Sequence, residues 1–303
     1  MTLGVTYRGR FAPSPTGPLH FGSLVAATGS YLHARQARGQ WLVRIEDLDP
    51  PRTVIGAAEN ILHTLEAFGF HWDEPVIYQS QRNDAYEHAF QSLKSKGLVY
   101  PCACTRSELQ TLQNHQSEPH DELHYPGLCR NGPIRNSDTY AWRFRVPNQP
   151  ITFIDGIQGE QCINLQDSIG DFVIKRRDGL FAYQLAVVVD DAAQGMTDVV
   201  RGADLLSNTP RQIALQHALG LPTPRYTHLP VITDLHGLKL SKSTHAAALD
   251  LEHPVITLWQ VLHCLRQDPP ESLKHSNLNT LWDWAIAHWN TRAMNNTTQI
   301  ALN

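Results

Sequence analysis

Arg10-Phe11-Ala12-Pro13-Ser14-Pro15-Thr16-Gly17-Pro18-Leu19-His20-Phe21-Gly22-Ser23 is the stretch on which the fold turns. Residues 7–12 read as a strand, residues 13–18 as a loop stiffened by Pro13, Pro15 and Pro18, and residues 22–36 as a helix with Leu24, Ala27, Tyr31 and Leu32 on one apolar face. A strand that passes through a rigid loop into a helix start presents free backbone N–H groups and the positive end of the helix dipole, which together seat phosphates. His20 adds a donor for a phosphate oxygen, and Gly22, lacking a Cβ, lets a flat base lie against the backbone. A histidine and a glycine two positions apart recur by chance in ordinary turns; the whole string does not.

The same cycle repeats along the chain. Residues 41–46 read as a second strand, broken by Asp49-Pro50-Pro51, and residues 57–68 as a helix with Ile61, Leu62, Leu65 and Phe68 at helical spacing. Residues 76–78 form a third short strand, and residues 85–96 a helix that Gly97 closes. Strand and helix in alternation indicate a parallel sheet with crossover helices. From Tyr100 the rhythm changes: cysteines appear, residues 110–121 are polar, and residues 139–146 and 151–154 are extended. This has the look of an insertion. Regular α/β signals resume at Asp171, with residues 181–190 as the strongest strand candidate, 209–219 as a helix and 228–233 as a short strand. The last 60 or so residues read as helical, and Leu278, Leu281, Trp282, Ala285 and Trp289 form one apolar stripe, expected to pack a helix rather than stack bases. Internal repeats and low-complexity tracts are absent from the 303 residues.

Composition narrows the class. With 42% hydrophobic residues the chain can bury a core, and no apolar run approaches the ~20 residues that cross a bilayer, the longest being residues 185–189. The first ten residues lack the apolar and small-residue pattern of a secretory signal, so a cytoplasmic protein is expected. A formal net charge of −4 argues against indiscriminate coating of nucleic acid, which depends on cations neutralising phosphates, but allows a local RNA groove. The run Lys175-Arg176-Arg177 is more simply a solvated strand end or hairpin than an RNA contact. No long heptad pattern exists, so a monomer is expected.

Two further segments carry chemistry. Lys239-Leu240-Ser241-Lys242-Ser243 places two lysines three apart among small hydroxyl residues, able to close over a triphosphate as pyrophosphate leaves. Alone, this is most simply a solvated basic loop; its pairing with residues 10–23 turns the reading. Cys102-Ala103-Cys104, followed by Tyr125 and Cys129, offers three thiolates for a closed tetrahedral Zn²⁺ site that would hold together a segment poor in apolar residues. Chemistry alone favours His124, His120 or His115 as the fourth ligand, because imidazole binds zinc far more often than phenolate does. Cys162 and Cys264 stand alone and are expected to be small core residues. Asp190 and Asp191, at the end of the expected 181–190 strand, suit either ribose or Mg²⁺ contact, or capping of the next turn.

The 10–23 segment, with PSPTG and HxG, and the KLSKS segment resemble the HIGH and KMSKS signatures of class I aminoacyl-tRNA synthetases. With Arg44-Ile45-Glu46-Asp47-Leu48-Asp49 they resemble the glutamyl branch in particular, and the likeness runs in order across residues 10–243. Full-length members of that branch continue far beyond the KMSKS-like loop to build an anticodon-binding domain. Here about 60 residues follow Ser243, so the chain is most similar to the truncated paralogues.

The resemblance implies an α/β fold: a Rossmann-type parallel-sheet catalytic domain over residues 1–99 and 171–244, interrupted by a zinc-binding insertion at 100–170 and followed by a short helical region at 245–303, without an anticodon-binding domain. It implies a ligase that uses ATP with Mg²⁺ to activate L-glutamate to glutamyl-adenylate and transfers the glutamyl group to the queuosine base in the anticodon of tRNA(Asp). The glutamate site implied is Arg10, Phe11, Ala12, Pro13, Ser14, Glu46, Tyr183 and Arg201. The ATP site implied is His20, Gly22, Ser23, Lys239, Ser241, Lys242 and Ser243, with His20 and Lys242 as the catalytic pair. Family members show a CxC…YxxxC arrangement, which points to Cys102, Cys104, Tyr125 and Cys129 as ligands of a structural Zn²⁺, with His124 in reserve. The residue types agree with these roles: a bidentate arginine suits a carboxylate, Glu46 can meet an ammonium, and ligands of open α/β sheets sit beyond the carboxyl ends of the strands.

One departure stands out. Where the HIGH signature ends in histidine this sequence has Ser23. Class I activation is attack by the substrate's own carboxylate on the α-phosphorus, so the enzyme supplies positioning and charge stabilisation rather than a nucleophile. Ser23 keeps a hydroxyl donor and leaves His20 more of the work. Two other readings stay open at this point: a noncatalytic paralogue that binds ATP, glutamate or tRNA, and a conventional enzyme that charges the 3′ end.

Overall fold

A computed structural model describes residues 6–113, 124–234 and 249–302. The first half runs β1 (Arg8–Phe11), α1 (Phe21–Gln36), β2 (Gln40–Ile45), α2 (Ala57–Ala67), β3 (Ile77–Tyr78) and α3 (Asn83–Ser95). β1, β2 and β3 pair in parallel, with Arg8 opposite Gln40 and Arg44 opposite Ile77. Next come β4 (Val99–Cys102), α4 (Arg106–Gln113), β5 (Ala141–Phe144), β6 (Ile151–Asp155), β7 (Gly159–Ile163), α5 (Leu165–Ser168) and β8 (Phe172–Lys175). β4, β5 and β8 form an antiparallel sheet beside the main one. The second half contributes α6 (Tyr183–Ala193), β9 (Asp198–Gly202), α7 (Thr209–Leu219), β10 (Arg225–Leu229) and β11 (Val231–Thr233). The chain then adds α8 (Pro254–Cys264), α9 (Leu278–His288) and β12 (Gln299–Ala301).

β9 and β10 pair in parallel, and the last residue of β6, Asp155, pairs with Tyr226 of β10, giving the order β7-β6-β10-β9. The two halves meet where β1 lies beside β9: Thr197 N donates to Arg8 O at 3.0 Å and Arg8 N to Thr197 Oγ1 at 2.8 Å. β1 thus has β2 on one flank and β9, from the far half of the chain, on the other. That is the switch point of an open α/β sheet, where a crevice opens beyond the strand ends.

Residues 181–190 are not a strand. Tyr183–Ala193 is a helix, α6, packed against α3 and α7 and enclosed on several sides, with Leu185, Ala186, Val187, Val188, Asp190 and Asp191 all buried. Its uninterrupted apolar run at 185–189 mimics an interior strand, and its polar residues Gln184, Asp190 and Asp191 are buried with it rather than marking a solvent face.

The apolar stripe near the C-terminus packs as expected. Leu281, Trp282 and Ala285 of α9 are buried. The Trp282 ring meets Tyr31 of α1 at 4.8 Å and Phe70 at 5.0 Å, while its indole N–H donates to Phe68 O at 3.0 Å. Cys264 is buried, but Cys162 is exposed: it faces outward from β7, whose residues alternate between half-buried and exposed. Among the described residues no helix is long and apolar enough to cross a membrane.

Candidate active site and metal centre

A cavity of about 510 Å³ opens at the carboxyl ends of β1, β9 and β10. Arg10 and Phe11 of β1, the loop residues Ala12, Pro13 and Ser14, Tyr183 at the start of α6, and Arg201 of β9 all line it. So do His20, Gly22 and Ser23 at the start of α1. The expected glutamate and ATP residues among the described part of the chain therefore share one cavity, except Glu46, which is not in the lining. Lys239, Ser241, Lys242 and Ser243 lie outside the described residues. His20 has a task the sequence did not announce: its Nδ1 accepts from Ser23 N at 3.3 Å and so caps α1.

Behind the cavity floor lies a buried network of charges. Arg10 sends Nε and Nη2 to the two oxygens of Asp191, at 3.0 and 3.2 Å. Arg44, fully buried, pairs with Asp191 at 2.8 Å and with Glu46 at 3.2 Å, and donates to Gln194 Oε1 at 2.8 Å. Asp190 accepts from Gln79 at 2.8 Å, Tyr86 OH at 2.7 Å and Arg82 at 2.5 Å. Asp190 and Asp191, considered for ribose or Mg²⁺, are instead buried partners of arginines on neighbouring elements, because helix α6 rather than a strand carries them inward. Burial pushes the Asp191 carboxyl up, but Arg10 and Arg44 outweigh it and hold it below the usual aspartate range. For Glu46 burial wins over Arg44 and Arg10, and its carboxyl sits above the usual glutamate range.

Arg201 differs. Its guanidinium is buried and bonded to His228 Nε2 at 3.1 Å and Thr209 Oγ1 at 2.8 Å, and among the described residues no carboxylate pairs with it. A buried cation without an anion is costly, and a bound carboxylate offsets that cost. Tyr183 OH lies 3.5 Å from Arg201 Nη1 on the cavity side. Asp204 and Leu205 also line the cavity, and no motif in the sequence singles them out.

The second constellation sits where β4 ends. Cys102, Cys104 and Cys129 are buried with their sulphurs within 4.8 Å of one another. Tyr125 OH lies 3.4 Å from Cys102 Sγ and 3.9 Å from Cys104 Sγ, and Cys104 Sγ lies 3.7 Å from Cys129 Sγ. Tetrahedral Zn²⁺ with its usual bond lengths sets ligand atoms about 3.8 Å apart for two sulphurs and about 3.5 Å for sulphur and oxygen. The three observed separations lie within about 0.4 Å of those values. His124 Nε2 is bonded to Gln166 O at 3.0 Å, and His115 and His120 lie outside the described residues. Arg143 closes the back of the cluster, its Nε 3.2 Å from Cys102 Sγ and its guanidinium 3.7 Å from the Tyr125 ring centre. Burial lifts the Cys104 thiol to about 12. Burial also acts on Cys129, but hydrogen bonds from Ile134 and Ala103 N–H groups outweigh it and bring that thiol down to about 7.

The basic run is occupied by the fold: Lys175 pairs with Glu87 at 2.7 Å, Arg176 with Asp49 at 3.2 Å, and Arg177 donates to Ala103 O.

Residues 6–254 match the family model for tRNA synthetases class I (E and Q), catalytic domain. The glutamyl-Q tRNA(Asp) synthetase of Aromatoleum aromaticum is 55% identical over 283 residues, 93% of this chain and 89% of that protein. The glutamyl-Q tRNA(Asp) synthetase of Dechloromonas aromatica is 54% identical over 283 residues, 93% of this chain and 94% of the relative. In structure the chain is similar to glutamate-tRNA synthetase from Elizabethkingia anophelis, with a TM-score of 0.82 and 25% identity, covering 99% of this chain and 68% of that one.

Proposed function

The chain belongs to the class I tRNA synthetases of the E and Q type, and from that premise we propose that it activates L-glutamate with ATP and transfers the glutamyl group to the queuosine base of tRNA(Asp). The observation that carries the reading is the pairing of relatives so named, at 54–55% identity over nearly the whole chain, with a cavity that holds a buried arginine lacking an acid partner among the described residues. Arg201, with Tyr183 beside it, receives the side-chain carboxylate of glutamate. Arg10 is neutralised by Asp191 and serves mainly to fix the floor. Glu46 stands behind the lining, its N–H donating to Pro13 O at 2.9 Å, and is the anion that the family resemblance assigns to the ammonium. The α-carboxylate then attacks the α-phosphorus of ATP and pyrophosphate leaves. The start of α1, with Gly22, Ser23 and His20, holds the nucleotide, and Lys242 and its neighbours neutralise the departing charge.

Cys102, Cys104, Tyr125 and Cys129 would hold a structural Zn²⁺, which ties the chain between β4 and β5 into one unit. Burial raises the Tyr125 phenol, and a divalent cation among the sulphurs acts in the opposite sense.

Glutamate-dependent exchange of label between pyrophosphate and ATP tests the first half, and labelling of tRNA(Asp) with and without queuosine tests the second. The expected result is exchange with glutamate and labelling confined to queuosine-containing tRNA. Absence of exchange would make the chain a binder, and equal labelling of both tRNAs would make it an enzyme that charges the 3′ end.

A further inference from the structure

The Arg201 guanidinium is held from behind by a chain of buried groups that begins in β6. His228, at 0% exposure, accepts from Arg201 Nε through Nε2 and lies 2.6 Å from Asp155 Oδ2 through Nδ1. A guanidinium only donates, so Nε2 must be the acceptor; the imidazole proton is therefore assigned to Nδ1, pointing at Asp155, and the ring is neutral. Asp155 is fixed in turn. Its Oδ1 accepts three backbone N–H groups, from Ile157 at 3.0 Å, Gln158 at 2.9 Å and His228 at 3.1 Å, which leaves Oδ2 for the ring. The three residues lie on β6, β10 and β9, adjacent strands of one sheet.

We propose that Asp155 and His228 are positioning residues for the substrate carboxylate: through the tautomer that Asp155 imposes, His228 holds Arg201 ordered and facing the cavity while leaving its charge uncancelled. The contrast with Arg10 gives the physical reason. An acid placed directly on an arginine orders it but also neutralises it, as Asp191 does to Arg10. A neutral imidazole orders the side chain without spending its charge, so the cost of immobilising a long, flexible cation is met before the substrate arrives. Burial favours the neutral ring and lowers the His228 pKa, against the opposing pull of Asp155. The proposal rests on the reading of this cavity as a glutamate site.

The Asp155→Asn variant is the sharpest test. The three N–H donors demand an oxygen at the Oδ1 position, so the amide nitrogen takes the place of Oδ2, faces Nδ1 and reverses the tautomer. The ring then turns an N–H on Arg201 Nε. In glutamate-dependent pyrophosphate exchange we expect the KM for glutamate to rise about tenfold or more, with the KM for ATP within about twofold and a smaller change in kcat. His228→Met, which removes the acceptor, should give the same split, and His228→Gln, whose carbonyl reaches the Nε2 position, should recover most of it. Trp282→Phe, a destabilising change in the C-terminal helix contact, should leave the glutamate KM unchanged.

The proposal is overturned if Asp155→Asn and His228→Met are folded by circular dichroism and bind glutamate like the parent. It is equally overturned if the KM for ATP rises in parallel, or if Trp282→Phe shows the same split. Should Asp155→Asn fail to fold, the two His228 variants decide alone. A parent chain without glutamate-dependent exchange refutes the functional reading and the proposal with it, whereas unchanged variants refute the proposal only.

Discussion

Arg10 and Arg201 face the same cavity with the same charge, and their neighbours set them to different tasks. Both arginines, with Tyr183 and Ser14, were legible from motif and resemblance. Their partners were not: Asp191 stands 181 positions from Arg10, and no spacing rule links them. Two of the acids around Arg44, Asp191 and Glu46, respond to pH in opposite senses. Asp191 is depressed in the folded chain, so its contribution is present above the unfolded value of about 3.9 and is lost as pH falls through the lower folded value. Asp191→Asn should therefore cost about 3 kcal/mol in urea unfolding at pH 7, and the difference should shrink as the pH falls below about 4. Glu46 is raised, so its folded form carries no penalty below the unfolded value of about 4.3 and an increasing one as pH rises through the folded value. Glu46→Gln should be more stable than the parent at pH 8 and no more stable at pH 4, while its glutamate-dependent exchange falls at least about tenfold through loss of the ammonium partner.

Among the elements, β1, its loop and α1 were read within a residue or two, because proline and glycine punctuate the chain locally. α6 was misread because neighbouring elements enclose it and bury Gln184, Asp190 and Asp191 together with the uninterrupted apolar run at 185–189. The cysteine cluster depends on an element contact that spacing hides: Tyr125 N donates to Ile169 O at 2.8 Å, and Gly170, at φ 72°, lies against the Tyr125 carbonyl. A Cβ at Gly170 would overlap that carbonyl oxygen and would sit on a left-handed backbone. Gly170→Ala should displace Tyr125 and lower zinc affinity about tenfold or more in chelator competition. The parent should carry about one zinc per chain by elemental analysis and lose thermal stability when it is chelated.

Across the whole molecule, the C-terminal segment is tied to the first half of the chain. Trp282 packs against both Tyr31 and Phe70, and β12 pairs with β11, whose first residues line the cavity. Trp282→Ala should cost about 3–5 kcal/mol, read as a shift in the urea midpoint. The sequence by itself determined the local devices: the proline-stiffened loop before α1, the apolar stripe of α9, the set of sulphurs with a tyrosine, and with them the family. The loop and the stripe rest on residues near one another in the chain, where backbone preference and periodicity act without help, whereas the sulphurs were found by residue type and Tyr125 through the family resemblance. Tertiary structure alone decided that residues 183–193 are a helix, that Asp191 neutralises Arg10, and that Asp155 reaches Arg201 through His228. Those outcomes join groups 27 to 181 positions apart, and what binds them is the removal of water from charges that only the assembled sheet brings within hydrogen-bonding distance.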